Sequence, residues 1–410
     1  MSSKKSSLFS VFFTFAIDNL GATIVFPIFA PLFLDPSYQL LGVESLLSHK
    51  MILLGLFLAI YPIMQFIFAP LLGDYADHSG RKRSLMVTTA LTCLGFFICS
   101  VSIAQHHLLW LFFGRMMMGF GSGNLSICMS ALADLSDTTH QKVKYFSYGS
   151  ALAGLTFVIG PLLGGELSDP HFISFFTIAS PMWIGGILAF INTLFIYFSF
   201  KETITEKSQE PYDLLRSLRN IKQVFVSKGL RRLYFVYFLY LLAWNTFFQF
   251  MPAYAVEKFH LGTSTIGDIA ALMGVCWIIG SGMISKLFST LKNPRYLLAL
   301  CFVIFALFTY LIGFAPQIKQ FVMLVGCATV VSGIIWPICT GIISNLATEK
   351  TQGKVLGLSQ SVLSLTMIVS ALFGGYFLQF DLSLPFTLAA GALILATLWI
   401  LTHSTKHKKT

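Results

Sequence analysis

Gly73-Asp74-Tyr75-Ala76-Asp77-His78-Ser79-Gly80-Arg81-Lys82-Arg83 is a densely charged stretch between two long apolar runs. Charge at the edge of a hydrocarbon layer needs water, so the stretch reads as a loop joining two membrane-spanning helices. Composition points the same way. Of 410 residues, 56% are hydrophobic and 11% charged, whereas a soluble domain carries about 25% charged residues. The apolar segments run to about 20 residues without two-residue alternation, which favours helices over a barrel. A helix also satisfies its own backbone polar groups in lipid. An all-α polytopic membrane protein is expected.

Working outward from residues 73–83, the chain reads as about twelve spanning segments, at 8–34, 51–72, 84–104, 108–133, 143–167, 176–200, 231–256, 266–287, 294–315, 319–346, 354–379 and 383–402. The first is too long for a signal-peptide core and holds Asp18 and Pro27, which argues for a retained helix. The polar stretch after residue 200 contains Glu202, Glu206, Lys207, Glu210, Asp213, Arg216, Arg219 and Lys222. It divides the chain into an N-terminal six-helix bundle (1–200), a linker (201–230) and a C-terminal six-helix bundle (231–410). Leu214, Leu215, Leu218, Ile221 and Val224 predict an amphipathic surface helix within the linker.

The net charge of +10 would suggest nucleic acid in a soluble protein. Here the Lys and Arg residues fall in alternate loops, so they set topology instead. Lys4, Lys5, Arg81–Arg83, Lys142, Lys144, the linker, Lys286, Lys292, Arg295, Lys350, Lys354 and Lys406–Lys409 lie on one side. Only Lys50, Lys258 and Lys319 lie on the other. Both termini are therefore expected in the cytoplasm, and a bacterial inner membrane is the expected host. Seven cysteines occur singly in apolar segments and read as buried hydrophobes, not as disulfides or metal ligands. No phosphate-binding Gly-x4-Gly-Lys-Ser/Thr loop is present, which disfavours ATP-driven transport. No catalytic cluster is visible either, so neither an enzyme, a cofactor nor a metal is expected.

The 73–83 stretch resembles the loop 2–3 signature of the major facilitator superfamily, matching at Gly73, Asp77, Gly80, Arg81 and Lys82, with Tyr75 in place of the usual Leu. Asp18-Asn19-Leu20-Gly21 followed by Pro27 resembles the first-helix motif of its twelve-helix drug–proton antiporter branch, which includes the tetracycline exporters. Arg115 and Gly119 resemble the Arg-x-x-x-Gly of the fourth helix. Gly160-Pro161-Leu162-Leu163-Gly164-Gly165 resembles the antiporter motif of the fifth, although Thr156 and Ser147 stand where the family tends to place glycines. The resemblance implies two parallel six-helix halves that alternate access to a central site. It also implies a charge network joining the 73–83 loop to Asp134 at the inner end of helix four and to Gly353-Lys354 at the start of helix eleven. The Gly282–Arg295 stretch would be the second half's degenerate echo of that loop.

Asp18 lies about ten residues into its helix, roughly 15 Å at 1.5 Å per residue. Arg115 lies about seven residues in from the opposite face, roughly 11 Å. In a core of about 30 Å their levels nearly coincide, and an Asp18–Arg115 pair, direct or through water, is expected. Burial disfavours charge on Asp18 and the guanidinium favours it, so a change in water access would make a proton switch. Packing within the bundle for Asp18, snorkelling for Arg115 and ordinary helix packing for the Gly-Pro motif are the alternatives.

Asn19, Tyr61, Gln65, Asn124, Trp244, Asn245, Gln249, Trp277, Trp336 and Gln360 are candidates to line a substrate cavity, although each alone also suits a helix–helix contact. The favoured function is proton-coupled efflux of small organic compounds by a monomer. Uptake or facilitated movement of a metabolite, amino acid or siderophore, and a non-transporting receptor on the same scaffold, are the alternatives.

Overall fold

Every long apolar run folds as helix. In order these are α1 Ser3–Ile24, α2 Phe26–Leu34, α3 Leu47–Ser79, α4 Arg81–Ala104, α5 Leu108–Phe120, α6 Asn124–Asp134, α7 Thr139–Glu166, α8 Ser180–Ser199, α9 Lys228–Phe259, α10 Thr263–Ile278, α11 Pro294–Ile312, α12 Ile318–Ser344, α13 Gln352–Leu378 and α14 Leu384–Thr402. This computed structural model describes residues 3–38, 40, 46–204, 219, 222, 228–284, 294–344 and 352–402, and no strand occurs among them. The predicted linker helix at 214–224, Lys286, Lys292, Lys350, the Lys354 side chain and the Lys406–Lys409 tail lie outside the described residues.

Among the described residues, eleven stretches are long and apolar enough to cross a membrane. The segment expected at 108–133 is absent from that set because it is broken into α5 and α6. In the Gly121-Ser122-Gly123 turn, the Ser122 N–H reaches back only to Gly119 O, at 3.3 Å. The first span is likewise two helices. Pro27 has no N–H to continue the ladder, and the Ile28 N–H turns to Val25 O at 3.2 Å. The 73–83 stretch departs from the expected open loop. Helix α3 runs on to Ser79, the break is Gly80 alone, and α4 starts at Arg81. Helical turns beyond the lipid edge keep their hydrogen bonds, so charge there does not end the helix. Gly80 does, at φ 104°, a conformation that costs glycine nothing and other residues strain.

The chain divides into two compact units, one of residues 1–46, 56–217 and 260–271, the other of 47–55, 218–259 and 272–410. In the first, α1 packs on α7, α8 and α6, and α4 packs on α5, α8 and α6. Lipid removes most of the apolar drive between helices, leaving close packing and interhelical hydrogen bonds. Thr14 donates to Asn192 Oδ1 at 3.0 Å, tying α1 to α8, and Thr193 donates to Thr89 Oγ1 at 3.0 Å, tying α8 to α4. Below them Val11, Phe15, Leu85, Ile127, Leu132 and Ile196 form an apolar floor. In the second unit α9 packs on α13 and α14, and α11 on α12 and α14. Its helices are joined by Tyr240 Oη to Ser332 O at 3.1 Å and Tyr254 Oη to Gly313 O at 2.9 Å.

Candidate functional site

Asp18 sits midway along the first span. Asn124 Nδ2 donates to its Oδ1 at 2.6 Å, and Thr88 donates in turn to Asn124 Oδ1. Asn124 is fully buried and is the first residue of α6, so the glycine turn that divides the fourth span sets its position. Thr88 belongs to a row, Ser84, Thr88 and Thr92, at four-residue spacing on one face of α4. Asp18, Thr89, Thr92, Phe96, Asn124 and Asn192 line a small cavity of about 10 Å³ traced by the centre of a water molecule, room for about one water. The arrangement provides a mid-span carboxyl group with one donor, a hydroxyl row and space for about one water molecule.

Arg115 does not form the expected direct ion pair with Asp18. Ion pairs formed by described residues include Lys4–Asp137, Arg81–Asp77 and Arg81–Asp134, and none of these involves Arg115. The Arg115 guanidinium carbon lies 4.6 Å from the Tyr61 ring centre, 4.8 Å from Phe29 and 5.9 Å from Phe57. Depth along the membrane brings the two residues to one level but says nothing of azimuth. Asp18 faces α6 and α4, whereas Arg115 faces α2 and α3, with Tyr61 within electrostatic reach of both.

At the Gly80 end, Arg81 bonds Asp77 at 2.6 Å and Asp134 at 3.2 Å. This brings together three residues singled out from the sequence. The expected third partner at Gly353-Lys354 has no described side chains. A residue not anticipated, Glu202, completes the network. Its carboxylate accepts from the Arg81 N–H at 2.9 Å and the Lys82 N–H at 3.1 Å, the first free amides of α4. Its charge also suits the positive end of that helix. Thr203 donates to Asp134 at 3.3 Å, and Lys82 Nζ donates to Tyr197 O at 2.8 Å. An acid directly after a spanning segment, opposite a basic triplet, was the available signal for Glu202. We expect Glu202→Ala to lower stability by about 1 kcal/mol, the usual cost of losing a helix cap. Thermal unfolding of the purified variant checks this, and Glu202→Gln should recover part of the loss.

In the Gly-Pro motif, Gly160 meets Thr23 and Gly164 meets the Ile24 carbonyl and the Pro27 ring, so both serve the approach of α7 to the break between α1 and α2. Gly165 faces Thr263, Ser264 and Gly267. Gly73 has nothing near enough to obstruct a side chain.

The cavity candidates separate into groups. In the first unit Asn124 joins Asp18 and Tyr61 joins Arg115. Gln65 is half-buried on α3, one turn beyond Tyr61. Asn19 donates to Phe15 O of its own helix at 2.7 Å. In the second unit Trp244 lies 4.7 Å from Trp277, and Trp277 lies 6.0 Å from Trp336, ring centre to ring centre. Asn245 is buried and donates to Thr366 at 3.0 Å, Gln249 donates to Met367 O at 3.4 Å, and Gln360 is exposed.

The sequence profile of the Major Facilitator Superfamily matches residues 11–294 and 287–410. The chain belongs to the Major Facilitator Superfamily. Among similar superfamily proteins, the class H tetracycline resistance protein of Pasteurella multocida is 24% identical over 370 residues, 90% of this chain and 88% of that one. The quinolone resistance protein NorA of Staphylococcus aureus is 26% identical over 404 residues, 96% of this chain and 95% of its own. Among solved structures, a D-xylose–proton symporter matches with TM-score 0.76 at 16% identity over 97% of both chains. The human organic anion transporter MFSD10 matches with TM-score 0.70 at 19% identity over 98% of this chain and 100% of that one. The protein is an integral, multi-pass membrane transporter of the superfamily, and its cargo is a small molecule.

Proposed function

We propose that this transporter exports small organic compounds in exchange for protons, with Asp18 as the proton carrier. The observation that carries the reading is the Asp18–Asn124 pair beside a water-sized polar cavity in mid-span. An ionisable group at that depth costs several kcal/mol and is retained where it works. With no cation bonded to it among the described residues, the charge state of Asp18 depends on whether water reaches it. The tetracycline and quinolone resistance relatives support efflux as the direction.

In this reading the two halves are 1–200 and 231–410, joined by 201–230, with both termini cytoplasmic in a bacterial inner membrane and the monomer as working unit. The Asp77–Arg81–Asp134 network, with Glu202, holds the inner ends of the N-terminal half in one conformational state. Gly160, Pro161, Gly164 and Gly165 let α7 bend and slide during exchange. Within the N-terminal half, Tyr61, Gln65 and Asn124 contribute to cargo binding, and within the C-terminal half Trp244, Trp277 and Trp336 form an aromatic cluster of their own.

The test is proton movement in liposomes holding the purified protein, with tetracycline and a quinolone as first probes. Proton flux that starts on adding a probe and reverses with its gradient is the expected result. Probe flux without proton movement would sink the antiport reading and favour a facilitator.

A further inference from the structure

We propose that Arg115 is an anion-binding subsite, which takes a carboxylate or similar anionic group of the transported molecule. The inference rests on the transport reading above and adds the charge class of the cargo.

Arg115 and Arg81 make an internal comparison. Arg81 has two carboxylates at 2.6 and 3.2 Å. Arg115 has none among the described residues, and its Nε is buried without any hydrogen-bond acceptor. What surrounds it is aromatic: Phe29, Phe57 and Tyr61, with the Phe29 and Phe57 rings themselves packed edge to face at 4.8 Å. Ring faces stabilise a cation by up to about 2 kcal/mol when water is excluded. A buried ion costs several kcal/mol. The cage therefore holds and orients the guanidinium without neutralising it. The guanidinium is a planar fork with five donors, and its Nε lacks an acceptor, so its hydrogen-bonding capacity is not used up by the rings. A carboxylate fits such a fork with two parallel hydrogen bonds.

Asp18, which the sequence puts at about the depth of Arg115, is bonded by Asn124 and forms no ion pair with the guanidinium. Among the described residues nothing supplies the missing acceptor, and an anionic group of the cargo would. A molecule whose anionic group sits on Arg115 leaves Asp18 available to a proton, so one charge subsite and one proton site operate in the same unit without competing. Fully cationic compounds gain nothing from this subsite and are repelled by it.

The experiment is equilibrium titration calorimetry on the purified full chain with two matched pairs of probes at pH 7.5: a quinolone carboxylic acid and its methyl ester, and 2-naphthoate and its methyl ester. The expected result is at least 10-fold tighter binding of one acid than of its ester on the wild type. Arg115→Gln should bring that ratio close to one by weakening the acid alone. Arg115→Lys, which keeps charge but loses the fork, should retain a few-fold preference and guards against a Gln variant that does not fold. A ratio near one for both pairs on the wild type overturns the proposal. So does a ratio that survives Arg115→Gln, or equal losses for acid and ester in Arg115→Lys, which would mark a structural role. Binding at equilibrium needs no proton flux, so the two readings fail separately: an absent acid preference with intact Asp18-dependent proton movement removes the subsite alone, and the reverse removes the antiport alone.

Discussion

Asp18→Asn is expected to leave the protein folded and to abolish proton-driven accumulation of cargo. The substitution is isosteric. Asn124 Nδ2, 2.6 Å from Asp18 Oδ1, can donate equally well to an amide oxygen, and the new amide group faces the small polar cavity. What disappears is the ability to take up and release a proton. The size of the effect follows from the driving force. One charge moving through 100 mV releases about 2.3 kcal/mol, which supports a gradient of roughly 50-fold for a cargo of zero net charge, such as a zwitterion bearing one carboxylate. The variant should equilibrate its cargo, with an accumulation ratio near one. Vesicles with an imposed potential and labelled probe give this number directly. A variant that still accumulates cargo as wild type does would exclude Asp18 as the proton carrier. Asn124→Leu should behave differently, because it removes the donor to Asp18 and the acceptor of Thr88 together. Reduced coupling combined with reduced stability is expected there, since a buried polar group left without its partner costs about 1–3 kcal/mol.

Gly164→Val should be among the most damaging single substitutions in the first unit. A Cβ at Gly164 would lie 2.8 Å from the Ile24 carbonyl carbon and closer to its oxygen. These atoms are backbone, held by α1 and by Pro27 next to it, and they cannot swing aside. Either α7 moves off the first span or the helix bends, and overpacking of this kind costs on the order of 1–3 kcal/mol or more. Loss of the monodisperse peak after mild heating, relative to the parent, checks it. Gly73→Ala is the internal control. Nothing lies within 4 Å of a Cβ there, and alanine gains about 1 kcal/mol of helix propensity over glycine. It should be neutral or slightly stabilising, although Gly73 and Gly164 both belong to recognisable sequence motifs. Equal damage at both positions would mean that motif membership, not contact with α1, governs stability.

By itself the sequence determined the class of molecule and the identity of its unusual residues. Long apolar runs leave helices as the economical solution in lipid, and an Asp or Arg inside such a run is conspicuous because it is expensive. Asp18 and Arg115 were legible on that ground, Asn124 was one of several polar residues within the runs, and Asp77, Gly80, Arg81 and Asp134 were legible through a family motif. Partners were decided only by the tertiary structure. Periodicity gives level along a helix but not the rotation of one helix against another, so Asp18 and Arg115 share a depth and yet face different neighbours. The rings around Arg115 come from α2 and α3, and with 41 phenylalanines in the chain no pattern distinguishes Phe29 and Phe57 from the rest. Glu202 meets the amides of Arg81 and Lys82 across about 120 residues of chain, a contact fixed by where α8 ends beside the start of α4. Local chemistry marks which groups are costly to bury, and packing across distant segments decides what offsets that cost.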